Sequence, residues 1–161
     1  MSAPRTPPPV DLSMLLNQAG YALANRLTAA LADLDMSVRV YCVLAKAAEG
    51  DHTQGRLAEL AWMDKTTMVV TLDEMERRGL AERRLSPEDR RVRVVAITAK
   101  GRRQLAKADA IVQGVYDEVL DGVDPAERDT FLGVLGGLVD GPLAAPFHME
   151  ARTRRRAQRA G

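Results

Sequence analysis

Apolar residues recur at intervals of three and four through the first part of the chain. Leucines from Leu12 to Leu31 keep this spacing for about five turns, which predicts one long amphipathic helix. A turn at 33–36 then leads to Ser37, a residue type that caps helices by accepting a backbone N–H. We therefore expect a second helix that begins there and is ended by Gly50. Its inward positions are Val40, Val43, Leu44 and Ala47.

Two shorter helices are predicted next. Thr53 can cap the first, and the turn Met63-Asp64 opens the second. Gly79 stands just past the end of the second helix, where a left-handed residue commonly closes a helix. The apolar positions are Leu57, Leu60 and Ala61 in the first of these helices and Met68, Leu72 and Met75 in the second.

The pattern then changes from helical spacing to two short strands, 80–84 and 92–97. The loop 85–91 between them is highly charged and contains a Ser-Pro pair, which is typical of a hairpin connection. Helix, short helix, turn, helix and charged hairpin is the order of a winged helix-turn-helix. We therefore predict a mainly α fold with a small β-hairpin wing.

Two more helices are predicted after the wing. Thr98 caps a long helix that runs to about Leu120 and is closed by Gly122, and Asp124-Pro125 starts the last one. The apolar positions are Leu105, Ile111, Val112, Val115 and Val119 in the first, and Phe131, Leu132, Leu135, Leu138 and Val139 in the second.

Composition excludes several classes of protein. No apolar run approaches the ~20 residues that cross a bilayer, so we expect no membrane segment. The Pro-rich start, 1–10, lacks the apolar stretch of a secretory signal, so we expect a disordered lead-in and a cytoplasmic protein. Cys42 is the only cysteine, and with His52 and His148 it cannot assemble a Cys/His zinc site. No metal and no cofactor are predicted.

The net charge of +1 conceals an uneven distribution. Residues 76–103 hold ten basic and four acidic residues, whereas 104–147 hold two and eight. A local basic segment is typical of a nucleic-acid binder, because each neutralised phosphate releases counterions. A solvated charged helix face is the alternative interpretation. The end of the chain, 146–161, is again basic, and we expect it to be a disordered tail.

The wing sequence resembles that of the MarR family, the multiple-antibiotic-resistance regulators. Asp89-Arg90-Arg91, then Ile97-Thr98 and Gly101, match that family's Asp-x-Arg and Leu-Thr-x-x-Gly spacing. The resemblance covers roughly 12–140 and implies a DNA-binding transcription regulator. Further segments that are similar to the family are Leu57-Ala58-Glu59-Leu60, Thr66-Thr67 and Arg77-Arg78-Gly79-Leu80.

Residues for DNA binding are expected in the wing and on the helix before it. Arg91 at the wing tip suits a narrow minor groove, and Asp89 can pair with neighbouring arginines to hold the loop. Arg90 and Arg93 either add positive field or pair with Glu88 and Glu82 across the hairpin. The expected contacts on the recognition helix are Lys65, Thr66, Thr67, Val69, Val70 and Arg77.

Val69 and Val70 are a departure from the family, which often places Thr and Arg at these positions. If they are exposed, they suit contact with thymine methyl groups, and otherwise they are simply buried. Thr66 and Thr67, at the helix N-terminus, suit phosphate or base edges.

The resemblance also implies a homodimer that binds a pseudo-palindromic operator, most simply as a repressor. Within one domain, 11–145, it assigns 37–98 to the winged helix-turn-helix and 11–33 and 99–140 to dimerisation. Small aromatic or drug-like effectors are expected to release the DNA. Candidate effector-binding residues are Tyr21, Arg26, Tyr41 and Trp62.

Three alternatives remain for function. Some family members sense peroxide through a reactive thiol, although Cys42 lies in the second helix rather than near the start of the first. A winged-helix interaction module without DNA binding is the second alternative. A small enzyme, the third, lacks support because the sequence has no nucleophile elbow, phosphate-binding Gly-rich loop or paired His and carboxylate motif.

Overall fold

The computed structural model describes residues 11–144. The chain divides into two compact units, Met1–Val119 and Leu120–Gly161, which we describe separately. The predicted lead-in, 1–10, and the predicted basic tail, 146–161, lie outside the described residues. The predicted class, mainly α with a small β-hairpin wing, is confirmed.

The second and third helices of the first unit begin at the predicted caps. Ser37 accepts the Val40 N–H at 3.2 Å, and Thr53 accepts the Arg56 N–H at the same distance. Each cap satisfies a backbone donor that would otherwise lack an intrahelical partner. The elements are α1 (Leu12–Ala30), a 3-10 turn (Ala32–Leu34), α2 (Val38–Ala48), α3 (Gln54–Leu60), α4 (Lys65–Arg77), β1 (Ala81–Leu85), β2 (Arg93–Ile97) and α5 (Ala99–Val119).

The core of the first unit lies among α2, α4, the wing and the inward face of α5. The predicted inward stripe of α2 is buried throughout, and so are Met68, Leu72 and Met75 on α4. On α3 only Leu57 and Ala58 are buried. The predicted apolar positions Leu60, at the end of the helix, and Ala61, its cap, are half-buried. Helix α2 ends at Ala48 with Glu49 as its cap, so Gly50 is the first residue past the helix end, as predicted.

The two strands pair antiparallel, with Ala81 opposite Ile97 and Leu85 opposite Arg93. The predicted first strand, 80–84, is therefore displaced by one residue. Leu80 does not join the ladder because its N–H closes α4 by donating to the Met75 carbonyl at 2.8 Å. His52 adds an isolated bridge to the outer side of β2, where the Val95 N–H donates to its carbonyl at 2.8 Å.

One junction joins the end of α4, both ends of the wing and the start of α5. Thr98 Oγ1 lies 2.8 Å from the Gly79 carbonyl and accepts the Gly101 N–H at 2.9 Å. The Thr98 N–H donates to the Leu80 carbonyl at 3.0 Å. Gly79 has φ +67°, a left-handed conformation that glycine adopts without steric cost. The Thr-x-x-Gly spacing thus closes the wing onto the recognition helix.

The second unit contains one helix, α6 (Pro125–Asp140), within its described residues. Asp124 caps it by accepting the Ala126 N–H at 2.9 Å, and Pro125 occupies the first helical position. No residue of α6 is buried in this chain, although the helix carries large apolar side chains. Those that are exposed are Phe131, Leu132, Val134 and Val139.

Gly101 provides a test of the junction. A Cβ at this position would lie 2.0 Å from the Leu80 carbonyl oxygen and 2.8 Å from Ile97 Cγ1. We expect Gly101→Ala to lower the free energy of unfolding by about 3 kcal/mol, as overpacking against backbone does. Chemical denaturation at fixed protein concentration measures it. Gly55→Ala is the control, because a Cβ there meets open space, and an equal loss in both variants would contradict the junction.

Candidate DNA-binding surface

The outer face of α4 carries most of the residues expected to contact DNA. Its inner face is buried, and it includes Thr71, whose hydroxyl donates to the Thr67 carbonyl at 2.8 Å. Val69 is 39% exposed and Val70 is 60% exposed, so the interpretation that both valines are buried is wrong. The exposed positions on or beside this face are Lys65, Thr66, Val69, Val70, Asp73 and Arg77.

The N-terminus of α4 is capped by Asp64, which the sequence indicated only as part of a turn. Its carboxylate accepts the Thr67 N–H at 2.9 Å and the Thr67 hydroxyl at 2.6 Å. The bond from the Thr67 hydroxyl, and to a smaller extent that from the Thr67 N–H, lowers the pKa of Asp64 below its ordinary value. The helix start therefore carries a negative charge, and the Thr67 hydroxyl already donates its proton to Asp64. An anion at this end is less favoured than an uncapped helix N-terminus would make it.

The wing loop is held by backbone hydrogen bonds rather than by ion pairs. Asp89 Oδ1 accepts the Arg91 N–H at 2.9 Å, and the Asp89 carbonyl accepts the Val92 N–H at the same distance. The Ser86 hydroxyl accepts the N–H groups of Glu88 and Asp89 at 3.2 and 3.4 Å. The predicted pairing of Asp89 with arginine side chains does not occur among the described residues. The short carboxylate instead folds back onto its own turn, as Asp often does.

The arginines of the basic segment fall into two groups. Arg78, Arg83 and Arg84 are ion-paired: Arg78 with Glu74 at 3.1 Å, and Arg84 with Asp51 at 2.9 Å. Arg83 pairs with Asp73 at 2.9 Å and also with Glu76. The exposed arginines of this segment without an ion pair to any described residue are Arg77, Arg90, Arg91, Arg93, Arg102 and Arg103.

The predicted cross-hairpin pairs are not formed among the described residues. In the observed register Arg93 faces Leu85, whereas Glu82 faces Ala96 near the other end of the ladder. Arg90 and Glu88 both lie in the turn and share no ion pair. The wing arginines are therefore exposed to solvent without a counter-charge. This favours the interpretation that their positive electrostatic potential attracts an anionic partner.

Arg83 is the residue that the sequence analysis missed. Its guanidinium reaches Asp73 and Glu76 on α4 and lies 3.3 Å from Gln54 Oε1 on α3, while its backbone N–H donates to Glu76 at 2.8 Å. Only its position on a strand was visible in the sequence, and its partners lie far from it along the chain. This arginine fixes the wing to the recognition helix.

The four candidate effector-binding residues have different environments. The Tyr41 hydroxyl donates to Asp109 at 3.1 Å, and burial, followed by this bond, raises the pKa of Tyr41. Tyr21 and Arg26 are exposed on α1, and Trp62 is exposed in the turn after α3. No hydrogen bond between described residues joins two of the four. A shallow depression of about 410 Å³ lies elsewhere, on α6, between Glu127, Thr130 and Phe131.

Cys42 is half-buried on α2. Burial raises the pKa of its thiol, and Lys46 only partly opposes this shift. Within residues 11–144, His, Cys, Asp and Glu form no group that could hold a metal ion. In the same part of the chain, no helix combines the length and apolar character needed to cross a membrane.

The thiol pKa gives a pH prediction. A raised pKa keeps Cys42 protonated at neutral pH, so its thiolate fraction should increase only above the pH at which a free cysteine ionises, about 8.5. We expect iodoacetamide to alkylate the folded protein several-fold more slowly at pH 8 than the same protein in urea. Mass spectrometry follows both reactions. Faster alkylation of the folded protein would indicate a reactive thiol.

Fold and surface together define a winged helix-turn-helix DNA-binding protein. The model for the MarR family matches residues 34–92, which include the recognition helix and most of the wing. A MarR family transcriptional regulator from Silicibacter pomeroyi is 31% identical, with 82% of this chain and 89% of that chain covered and a TM-score of 0.74. The chain belongs to the MarR family of transcription regulators, a family of DNA-binding regulators and not of enzymes.

Two further solved structures are similar. CouR from Rhodococcus jostii RHA1 bound to p-coumaroyl-CoA is 29% identical, with 86% of this chain and 95% of that chain covered and a TM-score of 0.75. The transcriptional repressor CouR bound to a 23-mer DNA duplex is 26% identical, with 80% and 92% covered and a TM-score of 0.73. Related structures thus include a DNA complex and a ligand complex.

Proposed function

We propose that this protein is a repressor that binds a pseudo-palindromic operator as a homodimer and leaves it when a small aromatic effector binds. The observation that carries the proposal is the difference between ion-paired and unpaired arginines in the basic segment, 76–103. Three arginines are neutralised by carboxylates, while Arg90, Arg91 and Arg93 have no ion pair among the described residues. Free arginines on a hairpin beside an exposed recognition helix suit a DNA duplex.

In this proposal the wing supplies the sequence-tolerant part of the contact. Arg91 follows the turn that Asp89 holds, and its guanidinium suits the negative potential of a narrow minor groove. Arg90 and Arg93 contact phosphates or strengthen the local field. Each phosphate neutralised adds affinity that falls as salt concentration increases.

Helix α4 supplies the sequence-selective part in the major groove. Val69 and Val70 are exposed and apolar, so they suit thymine methyl groups. Lys65, Thr66 and Arg77 suit the phosphate backbone at either end of the helix. Thr67 has its hydroxyl proton bound to Asp64, so it can only accept a hydrogen bond from a base.

The proposed dimer would cover apolar surface at both ends of the chain. The first half of α1 is exposed throughout, including Leu12, Leu15 and Leu16, and α6 has no buried residue. Exposed apolar surface of this extent favours a partner. We accordingly assign 11–33 and 99–140 to dimerisation and 37–98 to DNA binding, within one functional domain, 11–145. Two-fold symmetry then places half-sites about 34 Å apart, one helical turn.

For the effector we propose an aromatic acid or its thioester. Support comes from the similarity to CouR, which was solved with p-coumaroyl-CoA, the thioester of an aromatic acid. Arg26 suits the anionic group, and Tyr21, Tyr41 and Trp62 are the aromatic candidates. A redox mechanism through Cys42 has less support, because the raised pKa disfavours the reactive thiolate.

Substitutions should separate the two arms of the DNA contact. Arg91→Ala should weaken binding to operator and to unrelated duplexes alike and lower the salt slope by about one. Val70→Ala should cost ~1 to 3 kcal/mol on the operator and little on unrelated DNA. Fluorescence anisotropy at several salt concentrations measures both. No binding of the unaltered protein to any duplex would favour an interaction module instead.

Phe131 tests the dimer. It is 54% exposed on α6, and a charge there would be desolvated by a partner copy. We expect Phe131→Asp to sediment near 17.6 kDa, the mass of one chain, while the unaltered protein sediments as a dimer at low micromolar concentration. The variant should lose operator affinity together with dimerisation. A dimeric Phe131→Asp variant would place the interface elsewhere.

A further inference from the structure

Helices α3 and α4 end with the same turn but with different residues at its left-handed position, and the 3-10 turn Ala32–Leu34 ends in the same way with Asp35 at φ +49°. At the end of α4, Gly79 has φ +67°, and the Gly79 and Leu80 N–H groups donate to Glu76 and Met75, both at 2.8 Å. At the end of α3, Trp62 has φ +52°, and the Trp62 and Met63 N–H groups donate to Glu59 and Ala58 at 3.2 and 2.9 Å. Both are Schellman turns, which strongly favour glycine.

Trp62 is therefore an unfavourable residue for its own turn. A non-glycine residue in the left-handed region is strained, and tryptophan gains little from packing here because it is 57% exposed. Its neighbours Ala61 and Met63 are half-buried against the core, whereas the indole lies outside it. Strained, exposed residues of this kind are concentrated at binding sites.

The indole also carries an unused donor. Its Nε1–H has no hydrogen-bond partner among the described residues. Indole is a donor only, and its ring offers a flat apolar face beside that donor. A phosphate oxygen next to a deoxyribose ring presents this combination of acceptor and apolar surface.

The position of Trp62 indicates which partner supplies that combination. It lies in the turn of the helix-turn-helix, two residues before the Asp64 cap and three before Lys65. When α4 enters a major groove by its N-terminal end, this turn comes close to the strand that borders the groove. Asp64 accepts the Thr67 N–H and weakens the attraction of the helix dipole for an anion, so a phosphate near this end depends more on side-chain donors such as Lys65 and the Trp62 indole.

We propose that Trp62 is a DNA-contacting residue, donating its indole N–H to a backbone phosphate and packing its ring on the adjacent deoxyribose. The proposal rests on the proposed function and goes beyond it, because it moves Trp62 from the effector-binding candidates to the DNA interface. As a backbone contact, it should strengthen binding to all duplexes and add little sequence preference.

The unaltered full chain offers a direct probe, since Trp62 is its only tryptophan. The DNA is a duplex that the protein itself enriches from a random-sequence pool. Selective excitation reports Trp62, and acrylamide, a neutral quencher, reports its accessibility. We expect the quenching constant to fall several-fold when the duplex is added. p-Coumarate alone should leave it unchanged.

Two substitutions provide the second measurement. Trp62→Gly removes the ring and relieves the backbone, so its melting temperature should equal or exceed that of the unaltered protein while DNA binding weakens roughly fivefold or more. Trp62→Phe keeps a flat ring but loses the donor, and it should recover part of the affinity. If Trp62→Gly fails to fold, quenching of the unaltered protein still decides.

Each other outcome contradicts the proposal. Shielding of Trp62 by p-coumarate but not by DNA would return it to the effector site. Shielding before any addition would indicate that a second copy of the chain covers it. Unchanged quenching together with unchanged affinity of Trp62→Gly would assign it to the turn alone. Failure to enrich any duplex would instead contradict the proposed function.

Discussion

The Thr98 hydroxyl joins the base of the wing to the end of the recognition helix and to the start of α5. Thr98 joins the carbonyl of Gly79, where α4 ends, to the N–H of Gly101, where α5 begins, and its own backbone is bonded to Leu80. Three chain segments meet within hydrogen-bonding distance of a single residue. Gly101 permits this approach because a Cβ would overlap the Leu80 carbonyl oxygen. The hairpin therefore leaves the helix in one direction only.

The electrostatics of the surface follow from which arginines have a carboxylate within reach. Arg84 meets Asp51 from the loop before α3, and Arg83 meets Asp73 on α4, so these charges serve the fold. Arg91 and Arg93 lie farther along the hairpin, beyond those acidic side chains. Within the hairpin, positive charge is thus neutralised at Arg83 and Arg84 and left unpaired from Arg90 to Arg93, which concentrates the field where a duplex would approach.

Local chemistry was predictable from the sequence, and contacts between distant segments were not. Ser37, Thr53 and Gly79 could be placed because a cap acts on residues three or four positions away. Asp89 does hold the loop through Arg91, but it accepts the backbone N–H of Arg91 and not the guanidinium, since side chain and backbone compete for one carboxylate within the same turn. The three-element contact of Arg83 requires the tertiary fold, and the strain at Trp62 requires its φ angle. Sequence patterns therefore located the basic hairpin and the exposed helix face, but not the contacts that join them.

The bonds of Arg83 also determine how such a protein can respond to a signal. Because one guanidinium contacts α4, through Asp73 and Glu76, as well as Gln54 on α3, the wing cannot swing away from the recognition helix without exposing unpaired charges. The wing and the recognition helix therefore move as one unit. In the proposed function, an effector that releases DNA would therefore act on the distance or angle between the two wing–helix units of the dimer rather than within one of them.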